Sequence, residues 1–214
     1  MPRICVFIGP SLPPEEAKTF LPDAEFRPPV KRGDVAAAAA GGAEVIVIID
    51  GVFFQNEAVG HKEILAAIQS GVKFFGSSSM GALRAFEMKP FGMTGVGKIY
   101  EQYASGKIIA DDEVGLLYDP ETGIALSDPM VNMRASFAAA EACGLLTADE
   151  EKALLKTCKG IYYPERTYRR VIKDAPIPDA KKAELSEWLK GHAVDQKRED
   201  ARACLALVKE TYGL

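Results

Sequence analysis

The chain has 214 residues, 48% hydrophobic and 26% charged, with a formal net charge of −4. That balance suits a globular chain with one large domain or a domain plus an appendage. With no basic run longer than a few residues, it excludes a nucleic-acid-binding surface. No stretch of about 18 apolar residues occurs, so no membrane span is expected, and the apolar run at 4–8 is too short for a secretory signal. A cytoplasmic location is expected, with Cys5, Cys143, Cys158 and Cys204 as reduced core thiols, since they are scattered and show no C-x-x-C spacing.

Taken in order, residues 4–8 form a continuous apolar run closed by Gly9-Pro10-Ser11. Pro13-Pro14-Glu15-Glu16 opens a helix, with proline tolerated and acids favoured in the first turn. Residues 24–27 read as a short strand. Asp34 is expected to cap an alanine-rich helix over 35–40 that stops at Gly41-Gly42. Residues 44–50 are apolar on both faces, as in a parallel strand buried between helix layers. A helix over 59–70 ends at Gly71, a strand over 72–75 follows, and a helix runs from after Ser79 to about Glu87. Strand–helix alternation with short loops predicts an α/β fold built on a parallel doubly wound sheet.

From about residue 92 the pattern changes. A glycine-rich crossing over 91–97 leads into a helix over 98–104, and residues 114–118 and 124–127 read as a small hairpin around Asp119-Pro120-Glu121-Thr122-Gly123. The remainder predicts helices from Pro129 to Gly144, from a Thr147/Glu150 capping box to Gly160, over 179–190 and over 195–212. The expected organisation is therefore a parallel α/β core over 1–92 and, over 93–214, the crossing, the hairpin and a helical C-terminal extension.

The most informative stretch is 72–87, where an apolar strand runs into Ser77-Ser78-Ser79 and then a helix beginning at Met80-Gly81. Ser77-x-Ser79-x-Gly81 is a nucleophile-elbow spacing with its first glycine replaced by another small residue. Small neighbours let a serine sit on a tight strand-to-helix turn, with helix-start amides aimed at an oxyanion. The same sequence also suits an anion cradle or a plain serine N-cap.

Loops leaving three predicted parallel strands carry Gly9 and Ser11, Asp50, and Ser77–Ser79, and ligands of open α/β sheets bind outside such strand ends. His61, in the first turn of its helix, is a candidate base for Ser79, with Asp50 or Glu63 as the orienting acid. Against this stands a solvated or capping histidine. Lys62 and Arg84 are candidate cations for an anionic ligand, although Arg84 is equally placed to pair with Glu87. The acids Asp111-Asp112-Glu113 read as a solvated turn, and neither a metal nor an organic cofactor is expected.

Several motifs together resemble the TfuA-like proteins. They are His61-Lys62-Glu63-Ile64, the run from Gly76 to Glu87, Phe91-Gly92-Met93-x-Gly95-Val96-Gly97 and Asp111-Asp112-Glu113-Val114. The opening residues 6–12 and the tail Asp195-Gln196-Lys197-Arg198 are also similar. The resemblance implies a partner of YcaO-type enzymes, which turn peptide backbone amides into thioamides. It implies sulfur delivery by hydrolysis of a thiocarboxylate on a ThiS-like carrier protein. Under that implication Ser79, His61 and Asp50 are the catalytic candidates. Ser77, Ser78, Met80, Gly81, Lys62, Arg84, Gly9 and Ser11 are the oxyanion and substrate-binding candidates. A docking subunit without catalysis is the alternative, and the oligomeric state stays open, a homo-oligomer included.

Overall fold

The computed structural model describes residues 1–53, 57–119 and 121–214. Five strands form one all-parallel sheet: β1 (Ile4–Phe7), β2 (Glu25–Arg27), β3 (Val45–Ile48), β4 (Lys73–Ser77) and β5 (Thr94–Val96), in the order β2-β1-β3-β4-β5. The expected α/β class and parallel doubly wound sheet are thus present. β5 lies where the sequence reads as a glycine-rich crossing. Gly95 pairs there with Gly76 of β4, and a glycine-rich run of three residues carries little strand signal.

The order 2-1-3-4-5 reverses direction between β1 and β3. Right-handed crossovers then put the β1–β2 helix on one face and the later helices on the other. One face packs Phe7, Ile46, Ile48 and Phe74 against α2 (Asp34–Ala40), α3 (His61–Gln69) and α4 (Met80–Met88). The other packs Val6, Val47, Ile49 and Phe75 against α1 (Pro14–Phe20). One seven-residue helix is too short to cover that face. Ala201, Cys204, Leu205 and Val208, on the last helix of the chain, complete it. Alternate strand residues therefore face opposite cores, and β1 and β3 are buried at every position. At α2 the N-cap is Gly33 rather than Asp34. The Asp34 carboxylate instead accepts the Lys31 amide at 3.0 Å.

The chain divides into two compact units, residues 1–109 with 197–214, and residues 110–196. The first unit thus runs past residue 92, taking in β5 and α5 (Lys98–Ala104), and its sheet is completed by the end of the chain. The second contains α6 (Met130–Ala142), α7 (Ala148–Gly160), α8 (Tyr168–Asp174) and α9 (Asp179–His192) around Met133, Phe137, Leu154, Val171 and Leu185. The Thr147/Glu150 capping box opens α7 as expected. The hairpin is reduced to one antiparallel bridge, Tyr118 with Ala125, and Pro120 of its turn lies outside the described residues. The final helix, α10 (Gln196–Tyr212), belongs to the first unit from Lys197 onward.

The acids 111–113 form a short 3-10 turn in the second unit, not a solvated loop. Arg134 donates to both carboxylate oxygens of buried Glu113 at 2.8 and 2.9 Å, and buried Arg166 donates to Asp112 at 2.7 Å. Lys159 bridges both acids. These carboxylates act as counter-ions for three cations. Among the described residues, no helix is long and apolar enough to cross a membrane. No cluster of three or more His, Cys, Asp or Glu side chains with metal-holding geometry occurs among them either.

Candidate functional site at the strand ends

Beyond β4 the backbone reverses within two residues. Ser78 has φ +66°, the only positive φ of a non-glycine residue among those described. The Ser79 amide donates back to the Ser77 carbonyl at 2.8 Å, so Ser78 is the apex of a γ-turn. Ser79 is the N-cap of α4. All three serines are buried.

Two glycines permit this turn. A Cβ on Gly76 would stand 2.2 Å from the Gly81 carbonyl oxygen, and one on Gly81 would stand 1.7 Å from that of Ile48. The start of α4 is therefore pressed directly against β4 and the end of β3. The amides of Ser79 and Gly81 both donate to the Ile49 carbonyl, at 3.3 and 3.2 Å, which locks the turn to the neighbouring strand. The Met80 side chain is buried against Gly51.

The three hydroxyls differ. Ser77 Oγ donates to the carbonyls of Val96 and Asp200 at 2.8 and 2.9 Å, tying β4 to β5 and α10. Ser78 Oγ is buried and finds no hydrogen-bond partner among the described residues. Ser79 Oγ, the sequence candidate for nucleophile, does not cap the helix.

At the switch point between β1 and β3, buried Asp50 organises the neighbouring loop. One carboxylate oxygen accepts the amides of Gly9 and Ser11 at 2.9 and 3.0 Å, and the other accepts the Ser11 hydroxyl at 2.6 Å. Lys197, only 2% exposed, stands 3.8 Å away. A buried lysine carries a large desolvation cost unless an anion is near. Three residues on, the Asp200 carboxylate accepts the Ile99 amide at 2.7 Å and caps α5. The Asp200 carbonyl also receives the Ser77 hydroxyl, so Lys197 stands one helical turn before the residue of α10 that the serine loop contacts. Among candidate cations the sequence points to Lys62 and Arg84, and Lys197 is missed. It sits in a charged run 147 residues from the aspartate it faces, and only the tail motif Asp195-Gln196-Lys197-Arg198 marks it.

His61, by contrast, is exposed, and its Nε2 bonds Glu87 at 2.8 Å. Arg84 donates to the same Glu87 oxygen at 2.6 Å and to the Val59 carbonyl at 3.1 Å. Glu87 is eight residues beyond Ser79, about 12 Å along the helix axis. His61 and Arg84 are thus gathered around the third turn of α4, whereas Asp50, Gly9 and Ser11 are gathered at the sheet edge. Glu63, the other candidate acid, caps α3 by accepting the Gly60 amide at 2.9 Å and accepts Gly33 at 3.0 Å. Lys62 is exposed.

Cysteine chemistry is absent from this edge. Cys5 and Cys204 lie in the two sheet cores, and burial pushes the Cys5 thiol up to about 11 and Cys204 upward as well. Cys158 is raised to about 12 by burial. Cys143, expected in a core, is exposed at the C-cap of α6.

A family model described as "TfuA-like protein" matches residues 50–167, more than half of the chain. A search of the curated proteins finds no match.

Proposed function

This chain belongs to the TfuA-like family, and on that premise we propose that it serves a YcaO-type enzyme in peptide thioamidation by hydrolysing a thiocarboxylated ThiS-like carrier to release sulfide. The observation that carries this reading is the buried, strained serine turn, bonded through Ser77 to the helix that also carries the buried Lys197. A serine hydroxyl of the 78–79 pair attacks the thiocarboxylate carbon. The C–S bond breaks, and the serine proton leaves with sulfur as hydrosulfide. Water then cleaves the acyl-serine, giving the carrier carboxylate and one proton.

The first step needs no separate base, because the leaving sulfur accepts the proton. That fits a histidine held by Glu87 rather than by serine. A thiocarboxylate is anionic and resists nucleophiles, so the chemistry calls for a nearby cation. Lys197 fills that need from within the sheet edge, and the Met80 amide is the oxyanion donor.

The test is sulfide release from the thiocarboxylated carrier without any YcaO partner. The Ser78→Ala/Ser79→Ala double variant is expected to lose at least about a hundredfold, and His61→Ala far less. Undiminished release by the double variant removes the serine mechanism. The docking alternative has its own observation: the bridged hairpin exposes Leu117, Ile124 and Leu126, an apolar surface suited to a partner. No release by the wild type alone, with stimulation only in complex, favours that role.

A further inference from the structure

We infer that Ser78, rather than Ser79, is the nucleophile of this turn. The inference rests on the hydrolytic reading above and names the atom that performs it.

Ser78 bears two costs that a structural residue would not keep. Its φ of +66° lies in the left-handed region, where glycine is unstrained and serine is not. Its hydroxyl is removed from water and has no hydrogen-bond partner among the described residues. Glycine at 78 would relieve both. Neither neighbour has this character, because the Ser77 hydroxyl is spent on two carbonyls and Ser79 has the N-cap position with negative φ.

The turn geometry also sets Ser78 apart from its neighbours. Ser78 is the central residue of the γ-turn closed by the Ser79 amide on the Ser77 carbonyl, between the end of β4 and the N-cap of α4. The small residues that let β4 and α4 close on each other, Gly76 and Gly81, bracket Ser78 at two residues before and three after. Ser78 Oγ therefore forms the C–O bond to the thiocarboxylate carbon as the C–S bond breaks, and its proton departs with the sulfide. An unpartnered hydroxyl is ready for this, since no protein hydrogen bond has to break first.

The test is covalent trapping. The wild-type protein is treated with a fluorophosphonate probe and, separately, with thiocarboxylated carrier. Residues 74–84, released by trypsin after Lys73 and Arg84, are then sequenced by mass spectrometry. The probe is expected on Ser78, in wild type and in Ser79→Ala. Ser78→Gly is expected to fold at least as well as wild type yet take no label and release no sulfide. Label on Ser79, or no label on this peptide in a preparation that releases sulfide, overturns the inference. Label on Ser78 without sulfide release keeps Ser78 as nucleophile and rejects the thiocarboxylate substrate. Neither label nor release rejects both.

Discussion

At the scale of single residues, the serine turn is held by steric closeness and stores strain. A left-handed non-glycine residue costs on the order of 1–3 kcal/mol, and an unpartnered buried hydroxyl adds about 1–3 kcal/mol. Ser78→Gly also loosens the unfolded chain, which offsets part of that gain. The net expectation is a rise of at least about 2–4 °C in Tm for a chain of this size, the shift that about 1 kcal/mol gives, read by calorimetry. A fall would mean that Ser78 has bonding the structure does not contain. Gly81→Ala is the opposite case. Its new Cβ would stand 1.7 Å from a backbone oxygen, so α4 must move, at a cost of roughly 3 kcal/mol read from the urea midpoint. Lys197→Met should raise KM for the thiocarboxylated carrier about tenfold, the loss of one charge-assisted contact of roughly 1.5 kcal/mol. An unchanged KM would take Lys197 out of carrier binding.

The sequence marks the strand, the three serines and the helix start, and it marks the glycine that must pack closely. It does not tell three identical serines apart, because the turn apex is set by backbone angles and not by residue type. Nor does it show that Asp50 is saturated by Gly9, Ser11 and Lys197, or that His61 turns to Glu87. Those pairings join residues 26 to 147 positions apart, and helix periodicity carries no information at that range.

At the scale of elements, most segments were legible, short ones such as β2 and α5 included, whereas β5 and α8 were not. β3 and the Thr147 capping box declare themselves through β-branched residues and i,i+3 chemistry. β5 is three residues long and α8 is seven, and each is held by neighbours more than by propensity. The acidic turn makes a pH prediction. Burial pushes the Asp112 carboxyl up, but hydrogen bonds from Lys159 and Arg166 outweigh it and hold it below its ordinary value of 3.8. A carboxylate lowered in the fold stabilises above its unfolded pKa and loses that contribution as pH falls through the folded one. Stability of the second unit should therefore decline as pH drops below about 4, and Asp112→Asn should flatten that slope in urea titrations. An unchanged slope would mean that the ion pairs are screened in solution. Thiol labelling reports on the same packing: Cys143 should react in the native state, with Cys5, Cys158 and Cys204 reacting only on unfolding.

At the scale of the whole molecule, the end of the chain completes a sheet built by its beginning. β1 to β4 leave one face covered only by α1, and α10 fills it with Ala201, Cys204, Leu205 and Val208. Leu205 and Val208 alone are worth about 1.5–3 kcal/mol each in burial. Together with Ala201 and Cys204 they approach a net stability of about 5–15 kcal/mol. Truncation after residue 195 should abolish cooperative unfolding of the sheet unit, seen as a lost calorimetric transition. The same helix brings Asp200 to the serine loop and Lys197 to Asp50, so the fold's closure and the site's charge come from one element.

The most direct test of the hydrolytic account is sulfide release from a thiocarboxylated ThiS-like carrier, measured for the wild type and Ser78→Gly without a YcaO partner. The account predicts steady release by the wild type and at least about a hundredfold loss in a variant that melts no lower. Equal release by both proteins, or none from the folded wild type, would contradict it.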